Sequence, residues 1–273
     1  MAETLKTRNE EEKVELKPGM HPSYLNILIQ KREIKEKTVG IKHRIGVYSA
    51  KGGVGKTTVA VNLAYALKGM GLKVGLLDAD IDCPNIPFFL GMNNVVPQDY
   101  PIIPVEKDGL KIVSTGMFLE DKEKPIIWRG PMKSKMLREF FENTSWGELD
   151  YIIIDLPPGT SDTPLSLMQL LSLDGIILVT TPQTIAAKNA IRSGMMAKRM
   201  NVSILGIVET MSGAGLKGAK DAAEKLNTAV LGSIRYSEKF DALSDSGKVP
   251  FIEDKEIRDA FTDIAKKIDS RLK

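Results

Sequence analysis

The chain contains a single cysteine, Cys83, in 273 residues. One thiol excludes an internal disulfide, a CxxC redox pair and a four-thiolate metal site within one chain. Long apolar runs are absent as well, and none approaches the roughly 18 residues that a membrane-spanning helix needs. Glu10, Glu11 and Glu12 stand where the apolar core of a signal peptide would lie. The sequence therefore predicts a cytoplasmic protein that is neither secreted nor embedded in a membrane.

The chain also lacks a large excess of either positive or negative charge. Lys and Arg number 38 and Asp and Glu 35, which gives a net charge of +3 and no argument for a nucleic-acid partner. Apolar residues make up 42% and charged residues 27% of the chain, close to the globular average, so wholesale disorder is excluded.

Short apolar runs alternate with helix-like stretches after residue 40. Such runs are typical of strands buried on both faces, and intervening helices indicate a parallel sheet with right-handed crossovers. The sequence thus predicts an α/β fold with a doubly wound, mostly parallel sheet. The runs cover residues 44–49, 73–78, 111–115, 151–155, 175–180, 203–209 and 229–234.

Three segments of different character are predicted. Residues 1–22 are charged and form a flexible tail, residues 23–40 form a helix and linker, and residues 41–273 form one domain. Within the domain, residues 91–110 are expected to be an irregular excursion near the sheet edge. The last stretch, 256–273, has apolar residues at helical spacing and predicts a closing helix packed on the sheet. A membrane-seeking role for this helix is the alternative, but its acidic residues argue against it.

The strongest motif follows the first long strand, where residues 49–58 read SAKGGVGKTT. Its glycines let the backbone fold tightly enough to direct N–H groups at a phosphate, and the helix that follows adds its positive end. Lys56 can reach the β- and γ-phosphates, and the Thr57 hydroxyl can bind Mg²⁺. The usual P-loop pattern begins with glycine where this chain has Ala50. The nucleotide-binding set predicted here is Gly52, Gly53, Val54, Gly55, Lys56, Thr57 and Thr58.

Carboxylates end two of the predicted strands. Asp78 and Asp80 follow one, and Asp155 ends the other and precedes a Pro-Pro-Gly turn. Ligands in such sheets bind beyond the carboxyl ends of the strands, where carboxylates can hold Mg²⁺ or orient water. The Gly159 N–H is expected to approach a γ-phosphate. For Asp78, a helix cap or a solvated strand end is the alternative interpretation.

The stretch KGGVGKTT, with Lys51 ahead of the glycines, resembles the deviant Walker A motif of the MinD/ParA-type P-loop ATPases. Several further stretches closely resemble the Mrp family of iron–sulfur cluster carrier and assembly ATPases, over residues 40–250 and in the right order. They are LLDADIDCPNIPFFLGM, IIWRGPM, WGELDYIIIDLPPGTSDTPL, VTTPQ and GIVETMS.

The resemblance implies ATP and Mg²⁺ as ligands and a homodimer as the working form. It implies that Lys51 reaches across the dimer to the other copy's phosphates, that Asp80 positions the attacking water, and that Asp155 holds Mg²⁺ through water. Lys51, Asp80 and Lys56 form the catalytic set that the resemblance implies. In the adenine pocket, Thr210 replaces the usual Asn, and Arg235 stands where the family more often has Pro.

The chain departs from the family where cluster carriers have a C-P-x-C pair. Residues 211–217 read MSGAGLK and contain no cysteine. Cys83 is interpreted as a semi-buried small hydrophobic residue. A dimer supplies two thiols at most, so the sequence predicts no iron–sulfur ligands of its own.

The predicted function is therefore an ATP-hydrolysing dimeric switch in metallocentre maturation, most simply iron–sulfur assembly with clusters held by a metal-carrying or apoprotein partner. Two alternatives remain open at this point. One is a nickel-centre maturation ATPase that acts with a metallochaperone. The other is a positioning or partition switch of the MinD/ParA kind.

Overall fold

The structure is a computed structural model that describes residues 22–92, 101–118, 130–160, 162–213 and 217–273. The predicted flexible tail, residues 1–22, lies outside the described residues except for residue 22. Much of the IIWRGPM stretch also lies outside them. The proposed domain limits stay a prediction.

A single sheet of eight strands forms the centre of the molecule. Its spatial order is β3-β4-β2-β5-β1-β6-β7-β8, and every neighbouring pair is parallel except β3 with β4. The predicted class, α/β with a mostly parallel sheet, is confirmed. The strands are β1 Ile41–Tyr48, β2 Val74–Asp78, β3 Val105–Lys107, β4 Leu110–Ser114, β5 Leu149–Asp155, β6 Gly175–Thr180, β7 Ile204–Ser212 and β8 Val230–Arg235.

Helices cover both faces of this sheet, and each face has its own apolar core. One core contains buried residues of α2 and α10, and the other contains buried residues of α1, α4, α5, α6 and α7. The fold is thus doubly wound. The helices are α1 Pro22–Lys37, α2 Lys56–Gly69, α3 Ile86–Phe89, α4 Gly130–Glu142, α5 Asp162–Leu170, α6 Thr184–Arg199, α7 Gly218–Lys225, α8 Glu238–Asp245, α9 Pro250–Glu253 and α10 Lys255–Leu272.

The excursion over residues 91–110 is more ordered than the sequence indicates. Its described part contains β3, which pairs antiparallel with β4 and places Val105 opposite Ile112 at the sheet edge. A strand of three residues is too short for its alternation to be recognised against the surrounding prolines and glycines. The expectation of a wholly irregular segment was therefore wrong, although its position at the edge is as predicted.

The last helix, α10, closes the fold. Asp254 caps its first turn by accepting hydrogen bonds from the backbone N–H groups of Glu256 at 2.9 Å and Ile257 at 3.2 Å. Phe261, Ile264 and Ile268 are fully or almost fully buried in the core beside α2. Because this apolar face is already covered, the closing-helix prediction holds. Within the described ranges, no helix is long and apolar enough to cross a membrane.

The sheet positions the candidate site. In a parallel sheet the carboxyl ends of neighbouring strands meet at one edge, and here the register aligns Asp78 and Val47 with Asp155 across three adjacent strands. The loops that leave β1, β2 and β5 therefore converge at that edge.

Candidate functional site

The loop after β1 forms an open cradle. Gly53 and Gly55 adopt left-handed backbone angles, with φ of 75° and 78°, which glycine accepts at little steric cost. A Cβ atom added to Gly52 or Gly53 would meet no other atom within 4 Å. The loop leads into α2, whose N-cap residue, Gly55, provides no side-chain cap. The N–H groups of the first helical turn are thus available to an anion.

Lys56 lies buried beneath this cradle between two carboxylates. Its Nζ atom is 2.7 Å from Asp155 Oδ1 and 3.6 Å from Asp80 Oδ2. Burial alone lowers the Lys56 pKa and is the largest single effect, but the charges of Asp155 and Asp80 outweigh it and the net pKa is raised. Lys56 therefore stays a cation, ready to exchange these carboxylates for phosphate oxygens.

The second oxygen of Asp155 accepts a hydrogen bond of 2.6 Å from the Thr57 hydroxyl. Asp155 is completely buried at the end of β5. A hydroxyl and a carboxylate this close together form the kind of all-oxygen donor set that Mg²⁺ prefers, completed by phosphate oxygens and water. The two residues predicted to hold Mg²⁺ thus fit the ion in their chemistry and proximity. Among the described residues, no group of three or more His, Cys, Asp or Glu side chains could hold a metal ion without such outside ligands.

Asp78 braces the loop that follows β2. It is fully buried, and its carboxylate accepts hydrogen bonds from Ser114 Oγ at 2.9 Å, from the Ile86 N–H at 3.1 Å and from the Asp80 N–H at 3.2 Å. Burial, with a smaller effect from the charge of Asp155, raises the Asp78 pKa to about 7. The solvated strand end is therefore excluded. Asp78 instead fixes both ends of the segment that carries Asp80.

Asp80 itself lines the cleft. Its pKa is raised, chiefly by burial, while the charge of Lys56 opposes that rise. Its Oδ1 atom accepts a long hydrogen bond of 3.4 Å from the Cys83 N–H, so the carboxylate is directed toward the turn that follows.

Cys83 is exposed, and its interpretation as a semi-buried hydrophobic residue was wrong. The turn at residues 82–85 projects from the strand end, while Ile81 and Ile86 on either side supply the buried apolar side chains. Burial, although slight, and the charges of Asp80 and Asp82 raise the Cys83 pKa. These effects favour the thiol over the thiolate at a position beside the phosphate cradle.

A cleft of about 500 Å³ joins these groups. It brings together the loop after β1, the loop after β2 and the turn after β5, as the meeting of strand ends predicts. Its lining includes Gly52, Gly53, Gly55, Lys56, Thr57, Thr58, Asp80, Asp82, Cys83, Pro157 and Pro158.

Gly159 lies half-buried in the turn after β5, with a φ of 100°. Its N–H donates to the Ser49 carbonyl at 3.0 Å, and its own carbonyl accepts from the Tyr48 hydroxyl at 2.5 Å. The contact of Gly159 with a γ-phosphate stays a prediction, and it requires the first of these bonds to open. Sequence reasoning missed Tyr48, because nothing in a strand-ending tyrosine indicates what its hydroxyl reaches.

Lys51 has an exposed side chain at the outer rim of the loop. The Lys51 carbonyl accepts a hydrogen bond of 2.8 Å from Ser49 Oγ, which ties the loop to the end of β1. An exposed lysine can reach a second molecule, and its action across a dimer stays a prediction.

A smaller cavity of about 50 Å³ lies beside the start of α2, and it is lined by the residues predicted to border the base. The Thr210 hydroxyl donates to the Val54 carbonyl at 2.7 Å, so this side chain supports the loop. Arg235 and Tyr236 are exposed at the rim. Sequence reasoning did not assign Met211, Phe240 and Asp241 to this wall. Met211 directly follows Thr210 in the GIVETMS stretch, whereas Phe240 and Asp241 lie on α8, outside every motif. The lining is Gly55, Thr58, Thr210, Met211, Ile234, Arg235, Tyr236, Ser237, Phe240 and Asp241.

A doubly wound sheet, a glycine-rich cradle at the start of a helix, and a buried lysine with a Thr–Asp pair beneath it define a P-loop NTPase. The family model described as "ParA: NUBPL iron-transfer P-loop NTPase" matches residues 40–269. The chain belongs to this family, in agreement with the resemblance of its motifs.

Curated relatives support the same placement. The chain is 45% identical to an iron-sulfur cluster carrier protein of Methanocaldococcus jannaschii over 255 residues, covering 88% of each chain. It is 39% identical to the iron-sulfur cluster transfer protein NUBPL of Dictyostelium discoideum, covering 85% of this chain and 77% of the relative.

Solved structures agree with the fold. A nucleotide-binding protein from Archaeoglobus fulgidus, in complex with ADP and with cobalt, matches with a TM-score of 0.68 and 35% identity over 80% of this chain and 92% of that chain. The cell division ATPase MinD of Pyrococcus furiosus matches with a TM-score of 0.65 over 84% of this chain and 99% of that one. At 22% identity, that match concerns the fold alone.

Proposed function

We propose that the chain is a Mg²⁺-dependent, ATP-binding and ATP-hydrolysing switch that works as a homodimer in the assembly or transfer of iron–sulfur clusters. The observation that carries this proposal is the buried arrangement of Lys56, Asp155 and Thr57 beneath the glycine cradle, with distances of 2.7 Å and 2.6 Å from Asp155. In this proposal Lys56 contacts phosphate oxygens of a nucleoside triphosphate, and Thr57 and Asp155 would hold the Mg²⁺ that accompanies it.

In this function the backbone N–H groups of the cradle bind the α- and β-phosphates, and Lys56 leaves its carboxylates to contact the β- and γ-phosphates. Thr57 would hold Mg²⁺ directly and Asp155 would hold it through water. The bound ion would neutralise the charge that develops on the phosphates. Thr210 and Arg235 border the base. Thr210 contributes through the cradle that it supports, since its hydroxyl is engaged by the Val54 carbonyl.

Hydrolysis requires a positioned water and a cation for the charge of the transition state. Asp80 is buried beside Lys56 and is directed into the cleft, which suits it to orient the water. Lys51 of the second copy supplies the cation, in the manner of an arginine finger. The rate is expected to be low in the resting chain, because the Gly159 N–H is engaged by Ser49.

The cargo is inferred from the relatives, which are named as iron-sulfur cluster carrier and transfer proteins. This chain has no cysteine in residues 211–217, and Cys83 lies at the phosphate cleft instead. We therefore assign the cluster to a partner protein, with the ATPase controlling association with that partner in the cytoplasm.

The test is capture of partners by the full chain carrying Asp80→Asn, which should bind ATP and hydrolyse it poorly. With ATP and Mg²⁺ present, the captured complex should contain iron and acid-labile sulfide. The matched Lys56→Ala chain, which cannot bind the nucleotide, should capture neither. Nickel in place of iron, or the same capture without ATP, would contradict the proposal.

A further inference from the structure

Gly159 is held on both sides by the end of β1. The N–H of its preceding peptide group donates to Ser49, and the carbonyl of its following peptide group accepts from Tyr48. The two partners, Tyr48 and Ser49, are consecutive in the chain, so the turn after β5 is tied to the start of the phosphate cradle. We call the three residues Tyr48, Ser49 and Gly159 the turn clamp.

The two sides of the clamp differ in burial. Tyr48 is completely buried and packs within the core. Gly159 is half-buried, and a Cβ atom added to it would meet nothing within 4 Å, so there is open space beside its α-carbon. If the clamp opens, the turn moves and the end of β1 stays in place.

The clamped N–H group is close to the cleft, because Pro157 and Pro158, which precede Gly159, line it together with Lys56 and Asp80. One N–H cannot make full hydrogen bonds with both the Ser49 carbonyl and a phosphate oxygen. A nucleotide that needs this group must therefore open the clamp, and a nucleotide that ends at the β-phosphate has no such need.

We propose that the turn clamp sets the discrimination between ATP and ADP, with Tyr48 as a positioning residue that opposes recruitment of Gly159 by the γ-phosphate. This inference rests on the proposed function. It adds that the chain binds ATP less tightly than it would without the clamp, because ATP binding must break the clamp's hydrogen bonds and ADP binding need not. The Ser49 hydroxyl also donates to the Lys51 carbonyl, so the loop that carries Lys51 stays tied to the end of β1 when the clamp opens.

The test is the substitution Tyr48→Phe in the full chain, which removes one hydroxyl and preserves the buried ring. The dissociation constants of ADP and of a non-hydrolysable ATP analogue are measured by calorimetry with Mg²⁺. Loss of one hydrogen bond from the clamped state should tighten binding of the analogue by about two- to tenfold and leave ADP within about twofold.

Tyr151→Phe is the matched control, because the Tyr151 hydroxyl is buried and donates to Asp269 Oδ1 at 2.7 Å. Neither residue lines the cleft, although Tyr151 lies on the same strand as Asp155. This control substitution should lower the melting temperature without changing the ratio of the two dissociation constants. If Tyr48→Phe changes both nucleotides equally, or neither, the clamp has no role in discrimination and the inference is wrong. If the unsubstituted chain binds neither nucleotide, the proposed function itself fails, and the inference fails with it.

Discussion

The phosphate-binding edge and the segment after β7 differ in how much of their chemistry this chain carries. At the edge, Lys56 and Thr57 contact the two oxygens of Asp155 at 2.7 Å and 2.6 Å, and all three residues lie on elements that the sheet aligns. At the end of β7, Met211 has a left-handed φ of 51° and is 41% exposed, and residues 211–217 contain no cysteine.

This comparison shows that phosphate binding and cluster binding depend on different parts of the sequence. Phosphate binding comes from a contiguous motif and two strand ends, which persist together because they share one edge of the sheet. Residues 211–217 contain no cysteine, so the prediction that this chain binds no cluster of its own depends on this segment and not on the phosphate edge.

The largest effect is expected from Lys56→Ala. It removes the buried cation beneath the cradle and leaves Asp155 and Asp80 without their partner, so ATP affinity should fall by at least about 100-fold. Calorimetry with Mg²⁺ measures the loss, with thermal unfolding to confirm that the chain folds. The matched control is Lys68→Ala, at the exposed end of the same helix, which should bind normally. Tight binding by Lys56→Ala would show that the edge is not a phosphate site.

Lys51→Ala should separate binding from turnover. Because Lys51 is exposed and lies outside the buried cluster, ATP affinity should stay within about twofold. If it stabilises the transition state across a dimer, hydrolysis should fall by about 100-fold or more. Mixing this chain with an equal amount of a Lys56→Ala chain should restore part of the activity, since the second chain supplies an intact Lys51. Unchanged turnover would contradict the role across the dimer.

A smaller effect is expected in the pH dependence of stability. The folded chain holds the Asp78 pKa near 7, above its ordinary value of 3.8, because the carboxyl is buried. Between these values the folded chain binds a proton that the unfolded chain has released, so the free energy of unfolding should fall as pH rises from about 4 to about 7. Asp78→Asn should flatten that fall, measured by urea unfolding without nucleotide or Mg²⁺. If Asp78→Asn leaves the slope unchanged, groups other than Asp78 cause the pH dependence of stability.

The smallest effect is expected on the base side. Arg235 is exposed at the rim of the cavity, so Arg235→Ala should change ATP affinity by no more than about threefold. Competition binding with ATP and GTP measures both affinity and base preference. A loss comparable to that of Lys56→Ala would mean that the base, and not the phosphate edge, supplies most of the binding.

Much of this site could be predicted from the sequence. Lys56, Asp155 and Asp80 were expected to meet because glycines precede the lysine and both carboxylates end strands, and parallel strand ends share an edge. Three features could not be predicted. The burial of Asp78 depends on Ser114 from a third strand, the exposure of Cys83 depends on the direction of a turn, and the contact of Tyr48 with Gly159 joins positions 111 residues apart. Each is a tertiary arrangement that no local pattern encodes.

The contrast between the two regions is tested most directly by measuring nucleotide and iron in one sample. The full chain is incubated anaerobically with iron, sulfide, ATP and Mg²⁺, desalted, and assayed for bound nucleotide, iron and acid-labile sulfide. We expect about one nucleotide per chain and no stable cluster chromophore. A stoichiometric cluster per dimer that disappears in Cys83→Ser, or a chain that retains no nucleotide, would contradict the account.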